Sequence, residues 1–229
     1  MRKILYIAAT ALLCASCFHV NVNYKGGKNA IKGEGPVVSK SFDDLRGFDA
    51  IEINGHADID FTQSDAFEVT VRTQENLLDW LDYKVEGNTL VIQAKDKRDI
   101  RAEKYDLTIQ APVLKKVVVN GASDFNVKSL GIDGDFDVEV NGAGDLDFNR
   151  ITCRSLTIEV NGAADLNLTS VDVRDALTVE VNGAGDVNVT GKAQTASFEV
   201  NGAGDIDATG LKVAGEVKQH KAGLASIKL

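Results

Sequence analysis

The stretch VEVNGAGDLDF at residues 138–148 returns as IEVNGAADLNL at 158–168, VEVNGAGDVNV at 179–189 and FEVNGAGDIDA at 198–208. Each copy alternates apolar and polar residues on both sides of an Asn-Gly corner, the period-two signature of two strands joined by a bend. The corner residues, Asn-Gly-Ala followed by Gly, Ala or Ser, tolerate unusual dihedrals and close backbone approach. With NGASD at 120–124 included, the corner asparagines Asn120, Asn141, Asn161, Asn182 and Asn201 follow one another at 21, 20, 21 and 19 residues. A near-constant period of this size marks a solenoid, in which no repeat buries its own core and each must stack on its neighbours. A meander of antiparallel hairpins is the competing arrangement for so many Asn-Gly turns. It gives no reason for every copy to keep the same residues on the same side of the bend, whereas parallel coils stacked about 4.8 Å apart do. The sequence therefore predicts an all-β fold, a parallel β-solenoid (β-helix) with coils of about 20 residues.

Stacking turns equivalent residues into ladders. The corner asparagines would form an amide ladder, each bonding the next, above a row of corner glycines Gly121, Gly142, Gly162, Gly183 and Gly202. Two acidic rows follow in the same way: Asp124, Asp145, Asp165, Asp186 and Asp205 after the corner, and Glu139, Glu159, Glu180 and Glu199 before it. Carboxylates about 5 Å apart repel unless a cation, a donor or water relieves them. Calcium is the hard cation suited to the aspartate row, which makes those five residues the candidate metal ligands, although the nine-residue glycine-rich pattern of calcium-bound β-rolls is missing. The structural alternative is that each Asp accepts backbone N–H groups within its own corner, with no cofactor. The less regular parts of the repeat, such as 169–174 and 190–193, should supply a third side or a loop.

Residues 36–113 depart from the period and are expected to form an irregular N-terminal part, 114–210 the regular repeats and 211–229 a degenerate last coil or cap, all within one domain. NGHAD at 54–58 repeats the corner pattern 66 residues before Asn120, so the intervening stretch is expected to hold irregular coils and to cap one end. Within it, 67–71 and 105–110 read as strands, 76–81 as one helical turn onto which Trp80 packs, and Glu86-Gly87-Asn88 as a hairpin turn between Lys84 and Ile92.

The N-terminus carries an export signal: Arg2 and Lys3, an apolar run from Ile4 to Leu13 too short to span a bilayer, then Ala15-Ser16 before Cys17. Ala15-Ser16-Cys17 resembles the lipobox of bacterial lipoproteins, although Cys14 stands where Leu is usual. This makes residues 1–16 the signal peptide, Cys17 the lipidation site and 17–35 a flexible tether rich in Gly, Lys and Asn. Once lipid occupies Cys17, Cys153 is the one cysteine left with a free thiol, so no disulfide forms within a chain. Removing Arg2 and Lys3 leaves 23 basic against 34 acidic residues, a net charge of −11. Nucleic acid is excluded as a partner and the lipid is the expected contact with the membrane.

Catalytic chemistry finds little footing. The three histidines, His19, His56 and His220, form no nucleophile–base arrangement with Ser or Cys. His56 is expected to fill a corner and Cys153 to be a buried apolar residue. A carbohydrate-active β-helix enzyme of the pectate-lyase kind needs a carboxylate cluster beside a basic residue on one face. Here the acids spread evenly along the stack, and Arg150, Arg154 and Arg174 fall in loops. A non-catalytic binding or adhesion scaffold is the leading reading, with that enzyme and a purely structural envelope spacer as alternatives.

Gly-Pro-Val-Val at 35–38, Phe48-Asp49-Ala50-Ile51, Asn76-Leu77-Leu78, the run from Asp106 to Pro112 and the repeated Asn-Gly-Ala-Gly-Asp together resemble the putative auto-transporter adhesin family with a head GIN domain, over roughly residues 34–210. The resemblance implies a parallel β-solenoid in the cell envelope and, by name, adhesion. The stretch after Gly210 is too short for a many-stranded auto-transporter barrel. No acidic run of the kind that marks surface-exported lipoproteins follows Cys17, so an outer-membrane anchor with the domain facing the periplasm is favoured over surface display. The expected partner is an envelope protein or glycan.

Overall fold

In the computed structural model, which describes residues 30–229, strands account for 70% of the described residues and wind into a parallel β-solenoid of about 5 turns with coils of about 21 residues. Equivalent residues stack in register: Asn120 on Asn141, Asn141 on Asn161, and Asn182 on Asn201. The alternation seen in the sequence sorts side chains in and out of the coil. Ile59, Phe125, Leu146, Leu166, Val187 and Ile206 fill one buried column, and Phe61, Val127, Phe148, Leu168 and Val189 another beside it. Phe125, Phe136 and Phe148 meet in the interior, with ring centroids 5.6–6.0 Å apart. The third side is a short run of paired strand, 171–173 against 191–193 and 191–193 against 211–213. Register shifts after Leu168 and Val173 absorb the unequal coil lengths.

Ala50–Gly55 and Asp58–Gln63 form the first coil, on which Lys116–Ala122 and Asp124–Val127 stack directly. The 66-residue gap between Asn54 and Asn120 is thus an excursion of the chain to the other side of that coil. There Thr89–Ala94 and Tyr105–Ala111 add a further parallel layer. Beyond it the strands turn antiparallel: Leu81–Glu86 pairs with Thr89–Ala94, Glu68–Gln74 with Tyr105–Ala111, and Val37–Phe42 with Glu68–Gln74. Changing strand direction halts further parallel stacking and covers the open end of the core, which a solenoid requires at its terminal repeats. The 3-10 turn at Glu75–Leu77 buries Leu77, and Trp80 packs at the core margin under the Arg98 guanidinium, 5.7 Å from its ring.

At the other end Val217–Gly223 stacks in register on residues 196–202, and Ser226–Lys228 on Asp205–Asp207. This coil carries Gln219 and Lys221 at the positions where Phe198 and Val200 face the core one layer below. Its polar side chains give the stack a hydrophilic end in place of an apolar one.

Candidate functional site

The corner and the acidic rows beside it were the chemistry most visible in the sequence. Each asparagine from Asn120 to Asn201 bonds the coil below it. Its Nδ2 donates to the Oδ1 of the asparagine one coil below at 3.0–3.1 Å, from Asn201 down through Asn182, Asn161, Asn141 and Asn120 to Asn54. The second Nδ2 hydrogen goes to the glutamate two residues earlier: Asn141 to Glu139, Asn161 to Glu159, Asn182 to Glu180 and Asn201 to Glu199, at 2.8–2.9 Å. The glutamate row is therefore held by donors of the protein itself. The Asn141 amide, together with Lys116 at 3.3 Å, brings the Glu139 carboxyl below its ordinary range despite its partial burial. Asn161→Ala removes two donated bonds and leaves the Asn182 amide without its acceptor. A loss of about 1–2 kcal/mol in unfolding free energy is expected, read from urea denaturation.

The candidate metal ligands do not converge. Oδ1 of Asp124, Asp165, Asp186 and Asp205 accepts the backbone N–H of Asp145, Asp186, Asp205 and Ser226, one coil further along, at 2.9–3.3 Å. The bonds that the sequence reading placed within each corner thus run between coils, because in-register stacking brings the next N–H closer than any in the same bend. Stacking also sets the five carboxylates in a row, whereas calcium needs six to eight oxygens around one point. Among the described residues no group of three or more His, Cys, Asp or Glu is arranged to hold a metal ion. The chemistry of this donor set fits a structural ladder and not a calcium shell.

The remaining candidates are also scattered. Cys153 is buried, and burial pushes its thiol up to about 11, away from nucleophilic use at neutral pH. His56 lines a cavity of about 90 Å3 beside the cap, its ring edge-on to Tyr105 at 6.0 Å. His220 continues the glutamate row above Glu199. Arg154 grips Asp135 with two nitrogens at 2.9 and 2.5 Å, and Arg174 reaches Asp133 at 3.3 Å. Cys17 and His19 lie outside the described residues.

One feature of the surface escaped the sequence reading. Asp172, Lys192 and Lys212 stack as one outward column on the third side. Their spacing of 20 and 20 residues carried the repeat's own period. It went unread because the flanking sequence there is irregular.

No curated protein matches the chain. Solved structures share the fold. A putative adhesin from Bacteroides fragilis aligns at 19% identity and TM-score 0.69, over 87% of this chain and 99% of its own. A protein from Parabacteroides distasonis described as a putative lipid binding protein aligns at 20% identity and TM-score 0.72, over 87% and 96%. A putative adhesin from the same species aligns at 20% identity and TM-score 0.62, over 87% and 99%. The family match begins later than the resemblance at Gly35 suggested and runs past Gly210. Matched over residues 47–229, the chain belongs to the family described as putative auto-transporter adhesin, head GIN domain.

Proposed function

We propose that this chain is a non-catalytic binding or adhesion scaffold of the cell envelope, held to the outer membrane by lipid on Cys17 and facing the periplasm. The observation that carries the reading is the arrangement of its polar groups: amides and carboxylates pair with one another along the stack instead of meeting at a reacting point. Such a surface is periodic along the stack. It suits recognition of an extended partner, a glycan or an envelope protein, by repeated contacts. Among the described residues no helix is long and apolar enough to cross a membrane.

The chain enters the domain at the capped end, where Ile31–Lys32 pairs with Ile100–Arg101 and Asn76 binds the Lys32 carbonyl and the Glu34 N–H, both at 2.8 Å. Cys17 to Ala30, fully extended, reaches about 45 Å. In this reading the tether from the lipid joins the domain at its capped end.

Envelope extracts passed over the immobilised protein, with a glycan array alongside, test the proposal. A retained glycan should be recovered at its original chain length. Shortened glycan after incubation would replace the scaffold with an enzyme. Protease added to intact cells should leave the domain uncut until the outer membrane is permeabilised, and cutting of intact cells would place it on the surface.

A further inference from the structure

The first Asn-Gly corner of the stack, at Asn54-Gly55, has no corner beneath it. The preceding layer keeps register up to Gln93 under Asn54 and resumes it at Asp106 under Asp58, but residues 94–105 leave the coil in between. Beside this corner lies the cavity of about 90 Å3 that Asn54, Gly55 and His56 line. A Cβ built on each corner glycine from Gly121 to Gly202 meets a carbonyl oxygen of the preceding coil at 1.9–2.0 Å, whereas at Gly55 it meets nothing within 4 Å. In later coils the N–H after the corner glycine donates to the glycine carbonyl one coil earlier, Ala184 to Gly162 at 2.9 Å and Ala203 to Gly183 at 2.8 Å. His56 holds that position in the first coil, and its N–H has no backbone acceptor among the described residues. Asn54 donates to Glu52 at 2.8 Å. The hydrogen that later asparagines give to the coil below has only Gln93 in register beneath it, and the Gln93 amide is itself given to Asp82. Two charges line the same cavity, Arg98 and Asp99, both exposed and neither ion-paired among the described residues.

We propose that this cavity binds a small α-amino acid, glycine or alanine in size, as its zwitterion. Its carboxylate lies at the Arg98 guanidinium and the His56 N–H, with the spare Asn54 hydrogen in the same wall, and its ammonium lies at the Asp99 carboxylate. Hydrogen bonds in which both partners carry charge are the strong ones, and here each charge of the ligand finds the opposite charge unpaired. A simple anion would have Asp99 against it, and a simple cation would have Arg98. The size of the cavity restricts the ligand further: at about 30 Å3 for a water in the liquid, it has room for about three waters or one molecule of about five non-hydrogen atoms. Glycine meets that limit and a sugar ring exceeds it. A concave site with a few placed polar groups is the usual form of a small-molecule site. The proposal goes beyond the scaffold reading and does not depend on it.

Titration with glycine, followed by the amide resonances of Gly55 and His56 in proton–nitrogen correlation spectra of the chain carrying Cys17→Ser, tests the site. Saturable shifts of both resonances with one dissociation constant are expected. Arg98→Gln and Asp99→Asn should each weaken binding at least tenfold, and both positions are exposed, so the spectra should otherwise keep the parent's dispersion. Acetate, which lacks the ammonium, and methylammonium, which lacks the carboxylate, should each bind at least tenfold more weakly than glycine. The proposal is overturned if glycine produces no saturable shift, or if both variants bind it as tightly as the parent. Acetate binding as tightly as glycine, and more tightly still in Asp99→Asn, would overturn it in favour of a simple anion site.

Discussion

Gly162→Val is expected to destabilise the solenoid by about 3 kcal/mol, near the upper end of what overpacking a tight site costs. A Cβ built on Gly162 falls 2.0 Å from the Gly142 carbonyl oxygen, 2.9 Å from its carbon and 3.1 Å from its nitrogen. These are backbone atoms of a coil paired on both sides, so no flexible side chain can move away. The same overlap recurs through the column, at 1.9 Å for Gly142 against Gly121 and 2.0 Å for Gly183 against Gly162. The corner thus excludes every side chain by contact between coils, and valine adds two methyl groups to a position where one carbon already collides. Gly134→Ala is the control, because a Cβ there meets nothing within 4 Å; its effect should stay within about 0.5 kcal/mol. Urea denaturation of both variants measures the contrast. Equal midpoints would mean that the coils do not approach so closely at the corner.

Cys17→Ser is expected to move the protein wholly from the membrane fraction to the soluble one. Each methylene of a lipid chain buried in the bilayer contributes about 0.8 kcal/mol, and a diacylglycerol supplies two chains, enough for stable anchoring. The net charge of −11 left after removal of Arg2 and Lys3 opposes contact with anionic headgroups once the lipid is gone. Fractionation combined with uptake of labelled fatty acid reads the result. A variant that stays with the membrane, beside a parent chain that takes up no label, would remove lipid from the proposed function.

The sequence by itself determined the coil. Alternation around each Asn-Gly corner fixed which residues face inward, the near-constant spacing of Asn120 to Asn201 fixed their register, and together these implied the asparagine ladder. Such features are legible because they are local patterns repeated with one period. Once coils stack, residue i must lie on its equivalent about twenty positions later. The strands and hairpin of the cap were legible for the same local reason, since burial alternation and turn residues show within a few positions. The helical turn expected over 76–81 is a shorter 3-10 turn at Glu75–Leu77, with Leu81 already in a strand.

Tertiary structure alone decided the rest. That Asn54 lies directly under Asn120, with the chain between them folded onto the opposite side of the first coil, follows from pairings among non-repeating strands. No period announces such partners. The aspartates bond the next coil's N–H, and the glutamates take the second hydrogen of each asparagine, because the stacked geometry sets which donor is nearest. Residue type showed only that donors were needed. The column of Asp172, Lys192 and Lys212 kept the repeat's period, but that these residues stack depends on where coils of unequal length resume register after Leu168 and Asn188, which the irregular flanks did not reveal.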